Sequence, residues 1–326
     1  MSTESASVDR VTCTASPSLA LTKYWGKRGG GVNIPATSSL AVTLGALTTK
    51  TQIRFADGAD QLLIDGRPQP EDRFRPVLDA LRAETGRSEH FLAESENDFP
   101  TAAGLASSSS GVAALVCGAG ALLGVELPPW KLSRIARLGS GSAARAVFGG
   151  FTVFPAGGTE ARELYPPEHW PELRVAAVVL ETNEKPMSSR EAMERVRRSS
   201  PYFDSWIADA EELFDEAREA VAARDIERLG EVSRLSYLRM FATMFSANPP
   251  VLYWRPAGLE IIHTAEALRR DGIPVYETMD AGPQVKLITT EEHVEAVRAA
   301  VEDRARRVIV SEVGPAPQLE TGGLSV

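Results

Sequence analysis

The sequence predicts an α+β fold in two parts rather than a doubly wound sheet. Strand-length runs crowd residues 11–97, and only then does a small-residue loop lead into a buried helix. From about residue 184 the apolar spacing turns helical. At 326 residues the chain is also long for a single core, so two domains or one bilobed unit are expected.

The elements follow in order. Residues 1–10 are small and polar and read as a disordered N-terminus. Val11–Leu21 reads as a strand, followed by Lys23-Tyr24-Trp25-Gly26-Lys27-Arg28 and the loop Gly29–Gly31. Ser39–Leu44, Lys50–Phe55 and Gln61–Ile64 read as strands, with Asp65-Gly66 as a turn. Phe74, Val77, Leu78 and Leu81 give Arg73–Glu84 the spacing of an amphipathic helix, and His90–Asn97 is a further strand. A buried helix covers Val112–Leu123, a short one Trp130–Leu138, and Gly150–Phe154 is a strand. Gly157–Pro171 reads as a connection and Arg174–Thr182 as a buried strand, with the domain boundary between 183 and 184.

In the second part, Ser188-x-x-Glu191 is a capping box that opens a helix. Trp206, Ala210, Leu213, Ala217 and Val221 mark a long helix. Ile226–Phe245, ended by Asn248-Pro-Pro, and Leu259–Arg270 mark two more. Val275–Met279 and Gln284–Thr289 are strands flanking Asp280-Ala-Gly-Pro283. Thr289-x-x-Glu292 is expected to cap a helix to about Val301, and Arg307–Val310 to be the last strand. The C-terminal domain thus spans 184–313, the N-terminal one 11–183, and 314–326 reads as a loose tail.

Composition narrows the function. A net charge of −9 argues against a general nucleic-acid or membrane-surface role, so any anion site must be built locally. Cys13 and Cys117 form no disulfide framework, and the four histidines lack ligand spacing, so no zinc site is expected. No signal peptide or membrane-length apolar run is evident, which fits a cytoplasmic, soluble protein.

The stretch Pro100–Gly111 carries the strongest chemical signal. Gly104 permits a tight path, and Ser107 to Ser110 place hydroxyls where a helix begins. Unpaired N–H groups and the positive end of the dipole make such a terminus fit for polyphosphate. No lysine completes a Walker A loop, so countercharge must come from Mg²⁺ and from other segments. The alternative is a capped helix buried against a sheet.

Four further clusters each have two readings. Lys23 to Lys27 could grip a phosphorylated small molecule, or be a strand end with packed rings and solvated lysines. Gly139-Ser-Gly-Ser-Ala-Ala-Arg145 offers hydroxyls and a guanidinium fork, or is a plain turn. It is not a dinucleotide fingerprint, because the third glycine is missing and a helical pattern precedes it. Ser189 and Arg190 could present donors at a helix start, or Ser188 could simply cap it. Asp280 could orient or deprotonate a hydroxyl, or cap a turn. Together the clusters form the inventory for phosphoryl transfer to a small, negatively charged acceptor.

These strings, in their order, resemble the mevalonate diphosphate decarboxylases of the GHMP kinase superfamily. The matching stretches are Leu21–Lys27, Ile34–Leu44, Phe99–Ser108, Gly139–Arg145 with Gly149-Gly150, Ser188–Arg190 and Met279–Pro283. The resemblance implies a ribosomal-protein-S5-like N-terminal domain, a C-terminal α+β domain, and an active site in the cleft between them. It implies an ATP- and Mg²⁺-dependent carboxy-lyase of isoprenoid biosynthesis, cytoplasmic and homodimeric. Such an enzyme phosphorylates the 3-hydroxyl of mevalonate 5-diphosphate or 5-phosphate, then releases phosphate and CO₂ to leave isopentenyl diphosphate or isopentenyl phosphate. A relative that stops as a mevalonate 3-kinase is the alternative, as is a silent ligand-binding relative.

Carried over by the resemblance, Asp280, Lys23 and Arg145 are catalytic. Asp280 handles the hydroxyl, Lys23 keeps it ionised, and Arg145 holds the carboxylate. Tyr24, Lys27, Ser140, Ser142, Ser189 and Arg190 grip the 5-phosphate end. Ser95, Asn97, Gly104, Ala106, Ser107 and Ser108 fall to ATP, with Ser107 at its Mg²⁺. The chain departs from the family at Ser18-Leu19-Ala20, where Asn-Ile-Ala is usual, in its short Gly29–Gly31 loop, and at Ala192, where glycine is common.

Overall fold

A computed structural model describes residues 9–29, 31–99, 107–181 and 187–322. Its first part holds β1 (Arg10–Ala15), β2 (Ser18–Ala20), β3 (Ser39–Thr43), β4 (Thr49–Ala56), β5 (Gln61–Ile64), β6 (Arg67–Pro68), α1 (Arg75–Thr85) and β7 (His90–Asn97). Then come α2 (Ser107–Leu122), α3 (Pro129–Gly139), the single turn α4 (Ala143–Ala146), β8 (Phe151–Phe154), β9 (Arg162–Tyr165) and β10 (Leu173–Val179). The rest comprises α5 (Ser189–Ser199), α6 (Phe203–Ala223), α7 (Ile226–Phe245), α8 (Pro256–Arg270), β11 (Tyr276–Met279), β12 (Val285–Thr290), α9 (Val294–Val301), β13 (Arg307–Ser311) and β14 (Gln318–Gly322). None of the described helices is long and apolar enough to cross a membrane.

The strands form three sheets, in the orders β14-β1-β4-β7-β5-β6, β2-β3-β8-β9 and β11-β12-β10-β13. Every pairing is antiparallel except that of β5 with β7. The alternation expected of half-buried strands sends Val11, Cys13, Thr51, Ile53, Phe91 and Ala93 to one face of the large sheet, which α2 covers. That helix is buried on nearly every side, because α1, α3 and α4 pack on it as well. Gly118 is where α2 comes closest to the sheet. A Cβ there would collide with the Ile53 side chain and lie 3.2 Å from the Cys13 Cβ, whereas Gly111 has open space.

Several expectations are corrected. Val11–Leu21 is two strands in two sheets. The chain breaks at Ser16-Pro17, where proline has no N–H to continue the ladder. The connection 157–171 contains β9, paired with β8. The stretch read as a loose tail carries β14, an edge strand whose backbone pairs with β1 from Arg10 onward, so Arg10 too is ordered. Thr289 does not cap α9. It belongs to β12 and donates its hydroxyl to Pro274 O at 2.7 Å. The capping box at Ser188 and Glu191 forms as its spacing requires.

The two parts share their cores. Trp25 packs among Val178, Met240, Phe241 and Met279, while Leu19, Leu40 and Phe151 pack with Val175, Ile288 and Ile309. Trp206 Nε1 donates to Trp25 O at 2.9 Å, and Glu211 accepts from the Ser38 N–H at 2.7 Å. These contacts fix the strand ends that carry the site.

Candidate active site

Lys23 follows β2 and is held from both parts of the chain. Its N–H donates to Ser236 Oγ on α7 at 3.0 Å, and its carbonyl accepts from Thr37 Oγ1 at 3.1 Å. The side chain is 2% exposed, and Nζ donates to Ala20 O at 2.7 Å and to Asp280 Oδ1 at 3.1 Å. Asp280 directly follows β11, on a tight turn in which Gly282 N–H donates back to Asp280 O at 2.8 Å. Gln284 clamps that turn to the end of β10, accepting from Leu180 N–H at 2.6 Å and donating to Glu181 O at 2.5 Å.

The second oxygen of Asp280 meets Lys286 Nζ at 3.1 Å, and Lys286 is also 2% exposed. Burial by itself would raise the Asp280 pKa, but Lys23 and Lys286 outweigh it and hold the carboxyl well below its ordinary range. Burial draws Lys23 down to about 8 against the opposing pull of Asp280, with Lys286 and Arg145 adding to the lowering. Arg145, on α4 and 2% exposed, donates Nη1 to Ser39 Oγ at 2.8 Å. Its Nε is buried with no hydrogen-bond partner among the described residues. An unsatisfied guanidinium N–H beside a carboxylate–lysine cluster is fit for an incoming anion.

Lys286 was not singled out in the sequence. The signal for it is a lone lysine inside the apolar run of β12, since lysine is almost never fully buried without a partner.

The expected phosphate end is assembled beside this cluster. Tyr24 stacks on Phe154 with ring centroids 6.0 Å apart, and the Arg145 guanidinium lies 6.0 Å from its ring. Gly141 is required there, because a Cβ would collide with the Tyr24 ring and hydroxyl. Ser140 and Ser142 face one another, Oγ to Oγ 3.1 Å, and Ser142 O accepts from Ser109 Oγ of α2 at 3.4 Å. A cavity of about 170 Å³ is lined by Lys27, Arg190, Met193, Glu194 and Arg197. Burial and the neighbouring Arg190 lower Lys27 to about 8, with Glu194 opposing. Ser189, half-buried, is the first residue of α5, with Ser188 as its cap.

The expected nucleotide end is only partly described. Gly104 and Ala106 lie outside the described residues. Ser107 opens α2 half-buried and Ser108 is exposed beside it. Asn97 Oδ1 accepts from Thr49 Oγ1 at 2.6 Å, and Thr49 also bonds Ser110 at 2.6 Å beneath the first turn of α2. Ser95 is 4% exposed and bonded to Thr51 at 2.8 Å, so its hydroxyl faces the packed interior rather than the open end of the helix. Among the described residues no group of three or more His, Cys, Asp or Glu could hold a metal ion. The donors present fit Mg²⁺ only as a guest of phosphate oxygens, with a serine hydroxyl added.

Comparison with known proteins agrees in both halves. Residues 15–164 match the diphosphomevalonate decarboxylase-like N-terminal domain, and 175–308 the mevalonate 5-diphosphate decarboxylase C-terminal domain. The diphosphomevalonate decarboxylase of Aspergillus fumigatus is 32% identical over 329 residues, covering 92% of this chain and 81% of that protein. That of Candida albicans is 31% identical, covering 94% and 96%. Among solved structures, the mevalonate diphosphate decarboxylase of Enterococcus faecalis, in a study of mevalonate diphosphate-mediated ATP binding, superposes with a TM-score of 0.87 at 33% identity, over 96% of this chain and 99% of that one. The Staphylococcus aureus enzyme superposes at 0.89 with 31% identity, over 96% and 98%. A structure described as MDDEF in complex with MVAPP, AMPPCP and magnesium reaches 0.88 at 34% identity, over 96% and 99%.

Proposed function

The chain belongs to the diphosphomevalonate decarboxylase family, an ATP-dependent decarboxylase family, and from that premise we propose that it acts on mevalonate 5-diphosphate. The products are isopentenyl diphosphate, CO₂, ADP and phosphate. The observation that carries this reading is the cluster of Asp280 with Lys23, Lys286 and Arg145, one negative charge against three positive in a largely buried setting. Such a site attracts an acceptor that is itself an anion.

Asp280 orients the substrate hydroxyl by accepting its hydrogen bond. Because two lysines keep it ionised, it is a weak base, and it takes up the proton only as the phosphoryl group arrives through a loose transition state. Mg²⁺, bound with ATP, supplies neutralisation of the phosphate charges. Ser107 and Ser108 face those phosphates from the first turn of α2, with Asn97 beside them. Arg145 holds the substrate carboxylate through Nε. Once the new phosphate leaves, that fixed carboxylate gives up CO₂, and its bonding electrons close the double bond in place of capture by water.

Tyr24, Lys27, Ser140, Ser142, Ser189 and Arg190 hold the phosphate end of the substrate. The diphosphate reading is supported by the cavity there, where Lys27, Arg190 and Arg197 stand against the single carboxylate of Glu194. It is supported as well by the mevalonate diphosphate that the E. faecalis enzyme binds. Steady-state kinetics on the 5-diphosphate and 5-phosphate in parallel test it. Two charge-assisted hydrogen bonds more predict a kcat/KM about 100-fold higher for the diphosphate. Equal values, or a preference for the monophosphate, would overturn it.

A further inference from the structure

Asn33 belongs to the short segment between the Lys-Tyr-Trp-Gly-Lys motif and β3. It is 4% exposed and has φ +56°, in the left-handed region that a non-glycine residue occupies at a cost. Its contacts explain why it is held there. Nδ2 donates to Arg137 O at 2.7 Å and more weakly to Leu138 O at 3.4 Å. These are carbonyls of the last turn of α3, which have no partner inside the helix. Oδ1 accepts from Lys27 Nζ at 2.6 Å, and the Asn33 carbonyl accepts from Tyr24 Oη at 3.1 Å. Arg137 returns the tie, donating Nη1 to Val32 O and Nε to Thr159 O.

One carboxamide therefore joins the two segments that flank the phosphate end. On one side is the end of α3, which runs directly into Ser140–Ser142. On the other are Lys27 and Tyr24. The chemistry needs both halves of the amide, a donor for helix-end carbonyls and an acceptor for an ammonium. The Lys27 ammonium is half-buried, so an acceptor on its charged form is worth more than at the surface.

We propose that Asn33 is a positioning residue that sets Lys27 and Tyr24 for the phosphate end of the substrate. The inference rests on the reading of Lys27 as a phosphate ligand. Substitution can separate the two halves of the amide. Asn33→Gly keeps the left-handed backbone and the carbonyl that Tyr24 uses, but loses both side-chain contacts. Asn33→Asp keeps the acceptor for Lys27 and loses the donor to α3.

The test is a double-mutant cycle on the full chain, with Asn33→Gly, Lys27→Met and their combination, and Asn33→Asp beside them. Asn33→Gly is expected to raise KM for mevalonate 5-diphosphate about tenfold, with KM for ATP unmoved and kcat changed far less than KM. In the Lys27→Met background it adds little, because its effect runs through the lysine. Asn33→Asp recovers part of the loss, and it serves the same comparison if the glycine variant does not fold. Losses that multiply in full, or a fall in kcat with KM unchanged, would overturn the proposal. A wild-type chain that ignores mevalonate 5-diphosphate defeats the function reading by itself. The cycle is then read in dissociation constants for inorganic diphosphate, where full multiplication again overturns the inference and the absence of it supports it.

Discussion

Asp280 is engaged on both oxygens, by Lys23 on one and Lys286 on the other, each at 3.1 Å. That arrangement decides what the residue can do. A carboxylate held this acidic is a poor proton store at neutral pH, so its work is orientation and charge, with proton uptake confined to the moment of transfer. Asp280→Asn should lower kcat by about 10²- to 10⁴-fold. Lys286→Met should lower kcat about tenfold or more with little change in the KM for ATP, since it removes charge from the reacting end only. Unchanged kcat in either variant, measured by ADP release, would contradict these roles.

The pH profile follows from the same residues. Burial draws both Lys23 and Lys27 down to about 8, below the ordinary lysine value. As pH rises through 8 both lose charge, so Asp280 loses a partner and the phosphate end loses a cation. kcat/KM is therefore expected to fall on the alkaline side near pH 8. A profile that stays level and drops only near about 10, where an ordinary lysine titrates, would contradict it.

Element by element, the site depends on where β11 ends. Glu277, 0% exposed on β11, pairs with Arg234 of α7 at 2.7 Å and Arg269 of α8 at 2.8 Å, and accepts from Tyr237 Oη at 3.3 Å. This network ties two helices to the strand whose next turn presents Asp280. Glu277→Gln leaves the Arg269 guanidinium without its countercharge and Arg234 with only the more exposed Glu231. Removing one partner of a buried pair costs about 3–5 kcal/mol, and the lower end applies here because Arg234 remains 26% exposed. Thermal melting should show the loss, and a wild-type melting temperature would contradict it.

The same scale shows what the sequence could and could not reveal. Helices with strong apolar spacing, such as Ile226–Phe245, and the capping box at Ser188 were legible because their signals are local. Strand β14 was not, since Gln318–Gly322 carries little apolar signal and is held by backbone pairing to β1. Nor was the break at Pro17, because apolar alternation runs on through it while the two halves go to different sheets. Asp280, Lys23 and Arg145 stood out through motifs. Lys286 and Asn33 are joined to them only by the fold, across the β11–β12 pairing and the end of α3.

For the whole molecule, one contrast matters most. The chain carries a net charge of −9, yet its site residues gather Lys23, Lys286 and Arg145 around one carboxylate and Lys27, Arg190 and Arg197 around another. Overall charge thus gives no hint of an anion site, which burial and local pairing create instead. The two halves also share core clusters, so the strand ends bearing Lys23 and Asp280 are fixed relative to one another by packing as well as by their ion pair. The most direct measurement is the ratio of CO₂ to ADP released in a single turnover of Mg-ATP with mevalonate 5-diphosphate. A ratio of one is predicted, because Asp280 serves the phosphorylation and Arg145 the loss of the carboxylate within one site. ADP formed without CO₂, leaving a stable 3-phosphorylated product, would contradict the account.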